Sequence, residues 1–161
     1  MPAHLVNKII DTLVYNETMI LYVSATQGEA AQVPSDYPLI VTGIGIIRAT
    51  LTLTEYLARA DELPERIINF GTAGSLSGNT GISEIDHVFQ HDFDHRVIEQ
   101  IIGKPFPNGI DLPTVSTLPA ARLATGDSFV NDSDTRARLA QQAQLCDMEG
   151  YAIAFVAQHF G

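Results

Sequence analysis

The chain has 161 residues, 45% hydrophobic and 17% charged, which suits one domain with a sizeable core. Its formal net charge of -10 argues against nucleic-acid backbones and anionic membranes as partners, because both call for a basic face. Cys146 is the only cysteine, so no internal disulfide can form, and a lone thiol in the role of a small core hydrophobe fits a reducing cytoplasm. No apolar run reaches transmembrane length, and Met1 to Asn16 lacks the apolar block and cleavage pattern of a signal peptide.

Leu5, Val6, Ile9, Ile10, Leu13 and Val14 recur at helical spacing and predict an amphipathic helix over residues 4–15. Met19 to Val23 is a continuous apolar run of strand length, followed by a small-residue turn from Ser24 to Ala31 that carries one acid, Glu29. A second strand, Pro38 to Thr42, ends in Gly43-Ile44-Gly45, where backbone can approach a ligand closely. Arg48 stands where a dinucleotide fingerprint needs its third glycine, so a Rossmann cofactor site is rejected. Residues 46–60 read as a helix with Ile47, Leu51, Tyr56 and Leu57 in its apolar stripe. A third strand, Arg66 to Phe70, runs into Gly71-Thr72-Ala73-Gly74-Ser75. That loop either presents N–H groups to a polar ligand or is only a tight connection.

Ile85 to Gln90 alternates like a strand and leads into His91-Asp92-Phe93-Asp94-His95. His87, His91 and His95 invite a metal reading, but the glutamate of a His-Glu-x-x-His motif is missing. The segment is read instead as a helix capped by Asp92 or Asp94, with Val97, Ile98, Ile101 and Ile102 packing inward until Gly103 and Pro105 end it. Residues 103–119 are loop, Arg122 to Thr125 a short strand, and 134–142 a helix capped by Asp132 or Ser133. Between them, Phe129 could stack on a flat base or sit in the core.

Leu145 to Ala154 is a short strand that ends in acid and turns straight into an apolar helix reaching about His159. Asp147 and Glu149 bracket Met148 at that junction. A carboxylate there can accept two hydrogen bonds from a diol such as a ribose, or can simply be an acid favoured at a helix N-terminus. Strands and helices alternate throughout, so the class is α/β with a largely parallel sheet.

Five segments in order carry a resemblance: Ala25-Thr26-Gln27-Gly28-Glu29, Thr42-Gly43-Ile44-Gly45, Asn69-Phe70-Gly71-Thr72-Ala73-Gly74, Ala124 to Val130, and Asp147-Met148-Glu149-Gly150. From about Met19 onward the chain resembles the nucleoside phosphorylase superfamily, and within it the 5′-methylthioadenosine/S-adenosylhomocysteine nucleosidases. The resemblance implies a three-layer α/β/α sandwich with a mostly parallel, mixed central sheet. It implies hydrolysis of the N-glycosidic bond of an adenine nucleoside, with Glu29 activating the attacking water. Glu149 would bind the ribose hydroxyls, Met148 pack on the sugar, Phe129 stack on adenine, and the backbone around Val130 read the base edge. Thr72, Ala73 and Gly74 would line the pocket wall. No cofactor and no metal are called for, and a cytoplasmic homodimer is expected.

The chain departs from the pattern in two places. The region between residues 75 and 120 is shorter than in better-known members, where such regions select the 5′ substituent. The purine-protonating aspartate of the family follows a strand beyond the last helix, whereas the sequence stops at Gly161. The expectation is one nucleosidase-like domain over residues 1–161 without its C-terminal strand and helix, poorly stable and nearly inactive as it stands. Full activity would make Asp127 or Asp147 the next acids to test. The alternatives are a phosphate-dependent phosphorylase, for which Arg48 is the one nearby basic group, and a nucleoside-binding protein without catalysis.

Overall fold

The computed structural model describes residues 19–161 apart from Gln32 and Asn79. The helix expected over residues 4–15 lies outside the described residues.

Among the described residues, eight strands and five helices follow in order. They are β1 (Ile20–Ser24), α1 (Gln27–Ala30), β2 (Leu39–Val41), α2 (Ile46–Arg59), β3 (Arg66–Asn69), β4 (Gly74–Ser75), β5 (Glu84–Gln90), α3 (His95–Ile102), β6 (Ile110–Asp111), β7 (Ala120–Thr125), α4 (Ser133–Leu139), β8 (Leu145–Asp147) and α5 (Gly150–Phe160). Among the described residues the strands form two hydrogen-bonded ladders. The first has the order β2-β1-β3 and is wholly parallel; the second has the order β4-β8-β7-β5-β6. In the second, β5, β7 and β8 run parallel while the two-residue strands β4 and β6 pair antiparallel at its ends.

β1 is buried on both faces, as a central parallel strand should be. Leu21 and Val23 pack with Ala49, Leu53 and Leu57 of α2 and with Ala152, Ile153 and Val156 of α5, while Ile20 and Tyr22 face Val33 on the other side. β5 and β7 alternate in the same way: Phe89 and Ala124 pack towards Leu139, whereas Val88 and Leu123 pack towards Ile110 and Ala154. α5 is apolar nearly all round because it serves both ladders, Ile153 facing the first core and Ala154 the second. Among the described residues β3 pairs only with β1. Beside it lies a cavity of about 560 Å³, with Ile68, Val88, Leu112 and Ala157 among its walls.

Two helix faces differ from expectation. α2 buries Ala49, Leu53 and Leu57, and of the expected stripe Ile47 (77% exposed), Leu51 (65%) and Tyr56 face solvent. The helix carries two apolar stripes, and the one with Ala49, Leu53 and Leu57 packs against β1 and α5. α3 is capped by the Asp94 carboxylate, which accepts from the Val97 N–H, and closed by Gly103 in the left-handed conformation. Val97, Ile101 and Ile102 are nevertheless exposed and Ile98 half-buried, while His95 at the start of the helix is buried. Among the described residues no helix is long and apolar enough to cross a membrane.

Candidate functional site

The loops that follow β1, β2, β3, β7 and β8 meet at the carboxyl ends of these strands, where open α/β sheets bind ligands. Thr26 and Glu29 form a capping box at the start of α1. The Thr26 hydroxyl accepts from the Glu29 N–H at 3.3 Å, and the Thr26 N–H and hydroxyl both donate to Glu29 Oε2 at 3.0 Å. Glu29 Oε1 receives the Thr72 N–H at 2.9 Å and the Thr72 hydroxyl at 2.7 Å. Gly71 leaves room for this approach, since a Cβ there would stand 3.2 Å from Glu29 Oε1. Burial works to raise the Glu29 carboxyl, but the bonds from Thr72 and Thr26 outweigh it and hold the group below the ordinary glutamate value.

Glu149 reaches the same region from the start of α5. Its Oε1 accepts the Gly45 N–H at 2.7 Å. Gly45 sits at φ 98°, a conformation that favours glycine, and precedes α2. The next amide, Ile46 N–H, donates to Asp127 Oδ1 at 2.9 Å. Burial pushes the Glu149 carboxyl up; the Gly45 bond pulls it down, and the charges of Asp147 and Glu29 push it up further. Glu29 and Glu149 are thus close enough to repel, and their surroundings drive them in opposite directions. Two acids split in this way can take different protonation roles.

Asp147 lies deeper. Its Oδ1 accepts the Thr125 hydroxyl at 2.5 Å and its Oδ2 the N–H groups of Gly150 at 2.7 Å and Glu149 at 3.3 Å. Burial raises its carboxyl against these bonds. Asp127 and Asp147, the reserve proton donors, are therefore both bound to backbone amides. Met148 is half-buried between the two acids of β8 and α5.

The other expected residues are less closely joined. Phe129 is 75% exposed on the loop after β7. That loop is tied down by Asp92, whose Oδ2 accepts the Ser128 N–H at 3.0 Å. Val130 packs into the core with Leu76, Phe89, Ala124 and Leu139. Of the loop after β3, Thr72 meets Glu29, Ala73 is exposed, and Gly74 pairs with Cys146 in the second ladder. The histidines diverge. His87 bonds Asp111 at 2.6 Å, His91 faces Gly126, and His95 is buried against Phe93 and Phe106. Among the described residues no three His, Cys, Asp or Glu side chains are grouped to hold a metal ion.

Sequence reading missed Thr26, Asp92, Thr125 and the Gly45 N–H as parts of this network. Only the first had a local signal: Thr26-Gln27-Gly28-Glu29 has the Thr-x-x-Glu spacing of a capping box.

A family model described as "Phosphorylase superfamily" matches residues 36–161. The chain is 28% identical over 148 residues to a 5′-methylthioadenosine/S-adenosylhomocysteine nucleosidase of Marinomonas sp. (strain MWYL1), covering 78% of this chain and 63% of that one. The Arabidopsis thaliana protein of the same name is 33% identical over 134 residues, covering 78% and 52%. An aminodeoxyfutalosine nucleosidase of Helicobacter pylori (strain J99 / ATCC 700824) is 27% identical over 138 residues, covering 73% and 59%. The chain thus spans less than two thirds of these relatives. Among solved structures, a Helicobacter pylori MTAN mutant with 5′-methylthioadenosine in its active site superposes with a TM-score of 0.72 at 21% identity, covering 91% of this chain and 81% of that one.

Proposed function

The chain belongs to the phosphorylase superfamily, and on that premise we propose that it hydrolyses the N-glycosidic bond of an adenine nucleoside, S-adenosylhomocysteine or 5′-methylthioadenosine, to release adenine. The observation that carries the reading is the pair Glu29 and Glu149, brought from opposite ends of the chain to one rim with their proton affinities driven apart. The names of the relatives support the substrate class.

Cleavage of an N-glycosidic bond builds positive charge on the ribose, as in glycoside hydrolysis. Glu149, once ionised, accepts the ribose hydroxyls and stabilises that charge through them. Glu29, held ionised by Thr26 and Thr72, positions and activates water at the anomeric carbon. Met148 packs on the sugar, Thr72, Ala73 and Gly74 form the wall, and Phe129 stacks on adenine with the Val130 backbone at the base edge. Adenine release from each nucleoside in phosphate-free buffer tests the reaction. Turnover that appears only on adding phosphate would replace hydrolysis with phosphorolysis.

The exposure of Phe129 fits a ring waiting for a base. Phe129→Ala weakens binding of an inert adenine nucleoside analogue by about 1–3 kcal/mol, the usual worth of stacking one base on an aromatic ring. Calorimetry decides, and unchanged affinity would strip Phe129 of this role.

We also propose a cytoplasmic homodimer. Ile44, Ile47 and Leu51 form an exposed apolar stripe at the start of α2, beside the site, and a second copy would cover it. Light scattering at micromolar concentration gives twice the chain mass, and Leu51→Asp returns it towards the monomer. A monomer mass for the unsubstituted chain would count against the dimer.

A further inference from the structure

We propose that Asp147 is a positioning residue that takes over the capping of α5 and so frees the Glu149 carboxylate for the ligand. The proposal rests on Glu149 being the ribose-binding acid. Glu149 occupies the N-cap of α5, where a side chain ordinarily satisfies an amide of the first turn, yet it makes no such bond. Asp147 supplies the bonds instead. Its Oδ2 accepts from Glu149 and Gly150, and its Oδ1 fixes the Thr125 hydroxyl, whose oxygen accepts the Tyr151 N–H at 3.0 Å. Three successive amides are satisfied without the Glu149 carboxylate, which turns to Gly45.

Two features make the arrangement specific. Thr125 and Asp147 are register partners across β7 and β8, so the ladder itself sets their hydroxyl and carboxylate side by side. Gly150 lets the helix amide approach; a Cβ there would lie 3.0 Å from Asp147 Oδ2 and 2.5 Å from Leu123 Cδ2. The charge also matters. Glu149 is faced by Asp147 from β8, Glu29 from α1 and the Gly45 amide before α2; Asp147 is faced by His91 after β5 and Thr125 from β7. Where Asp147 is ionised, its charge makes Glu149 hold its proton to higher pH, against the burial that raises the Asp147 carboxyl itself.

Amide exchange and carboxyl titration by NMR on the isotopically labelled chain separate these effects. In Asp147→Ala the Glu149 and Gly150 amides exchange roughly 2- to 30-fold faster, the range expected for a lost N-cap. Asp147→Asn keeps an acceptor for Gly150 and most of the protection, while Glu149 titrates at lower pH because a neighbouring charge is gone. The acid limb of kcat/KM for adenine release moves down in pH with it. Unchanged exchange in Asp147→Ala, or an unmoved Glu149 titration in Asp147→Asn, overturns the proposal; should the alanine variant fail to fold, the asparagine variant decides alone. Both NMR measurements need no turnover, so an unsubstituted chain that binds no adenine nucleoside by calorimetry would sink the nucleosidase reading and leave this test intact.

Discussion

Replacing Glu149 with glutamine lowers kcat/KM for adenine release sharply and does not unfold the protein. A hydrogen bond to a charged group is worth about 1.5–3 kcal/mol, so losing one ribose hydroxyl costs roughly 10- to 150-fold, and losing two costs more. Stability moves the other way. Burial raises the Glu149 carboxyl in the folded chain, so the folded state holds this proton more tightly than the unfolded state. The stabilisation by that proton is full below the unfolded value and is lost as pH rises through the folded one. At neutral pH the ionised group therefore works against the fold, and glutamine, which carries no charge, relieves it. The activity profile shifts as well. On the proposed function the unsubstituted chain loses activity as pH falls through the raised Glu149 value, and the glutamine variant lacks that limb. Urea midpoints and a pH series on the same preparations check both halves. Near-normal activity in a folded Glu149→Gln protein would remove Glu149 from the site.

Glu29→Gln is the second large effect. General base catalysis contributes typically 10²–10⁴-fold, and kcat falls by that order while nucleoside affinity, measured by calorimetry, changes little. Here stability falls with activity. The Glu29 carboxyl lies below its ordinary value because Thr72 and Thr26 bond the ionised form more strongly than burial penalises it. That contribution is present above the unfolded value and is lost as pH drops through the folded one. Glutamine can accept at only one of its two positions, so the capping box and the Thr72 tie cannot both survive. Loss of such a cap costs about 0.5–2 kcal/mol. A Glu29→Gln protein with intact kcat would assign the water to another group. Lost kcat together with lost binding would mean that the rim itself had collapsed.

Much of the fold was legible from apolar runs of strand length and the glycine loops behind them. Ile20–Ser24, Arg66–Asn69 and Glu84–Gln90 lie within a residue of their expected places, the first two marked by apolar runs of strand length and the third by alternation. Helix faces were less legible. In α2 and α3 apolar residues lie on both sides, and which side packs is set by the neighbours each helix meets, which hydrophobicity alone does not weigh. The division of the strands into two ladders was hidden because hydrogen-bonding partners are set by tertiary placement. In the site, Glu29 and Glu149 stood out by position. Of their partners, Thr72 and the capping-box spacing of Thr26 were visible, whereas Gly45 acts through a backbone N–H and Asp127 and Asp147 act on amides that any sequence possesses.

The Gly45–Glu149 bond joins residues 104 apart, Ile46–Asp127 joins residues 81 apart, and Glu29–Thr72 joins residues 43 apart. Each closes a long loop, and each brings together ends whose strands must already be placed. The rim therefore belongs to the slow, late part of folding, when non-local pairings are complete. On the proposed function, refolding returns helical signal first and nucleoside binding last, and added nucleoside stabilises only molecules that have finished folding.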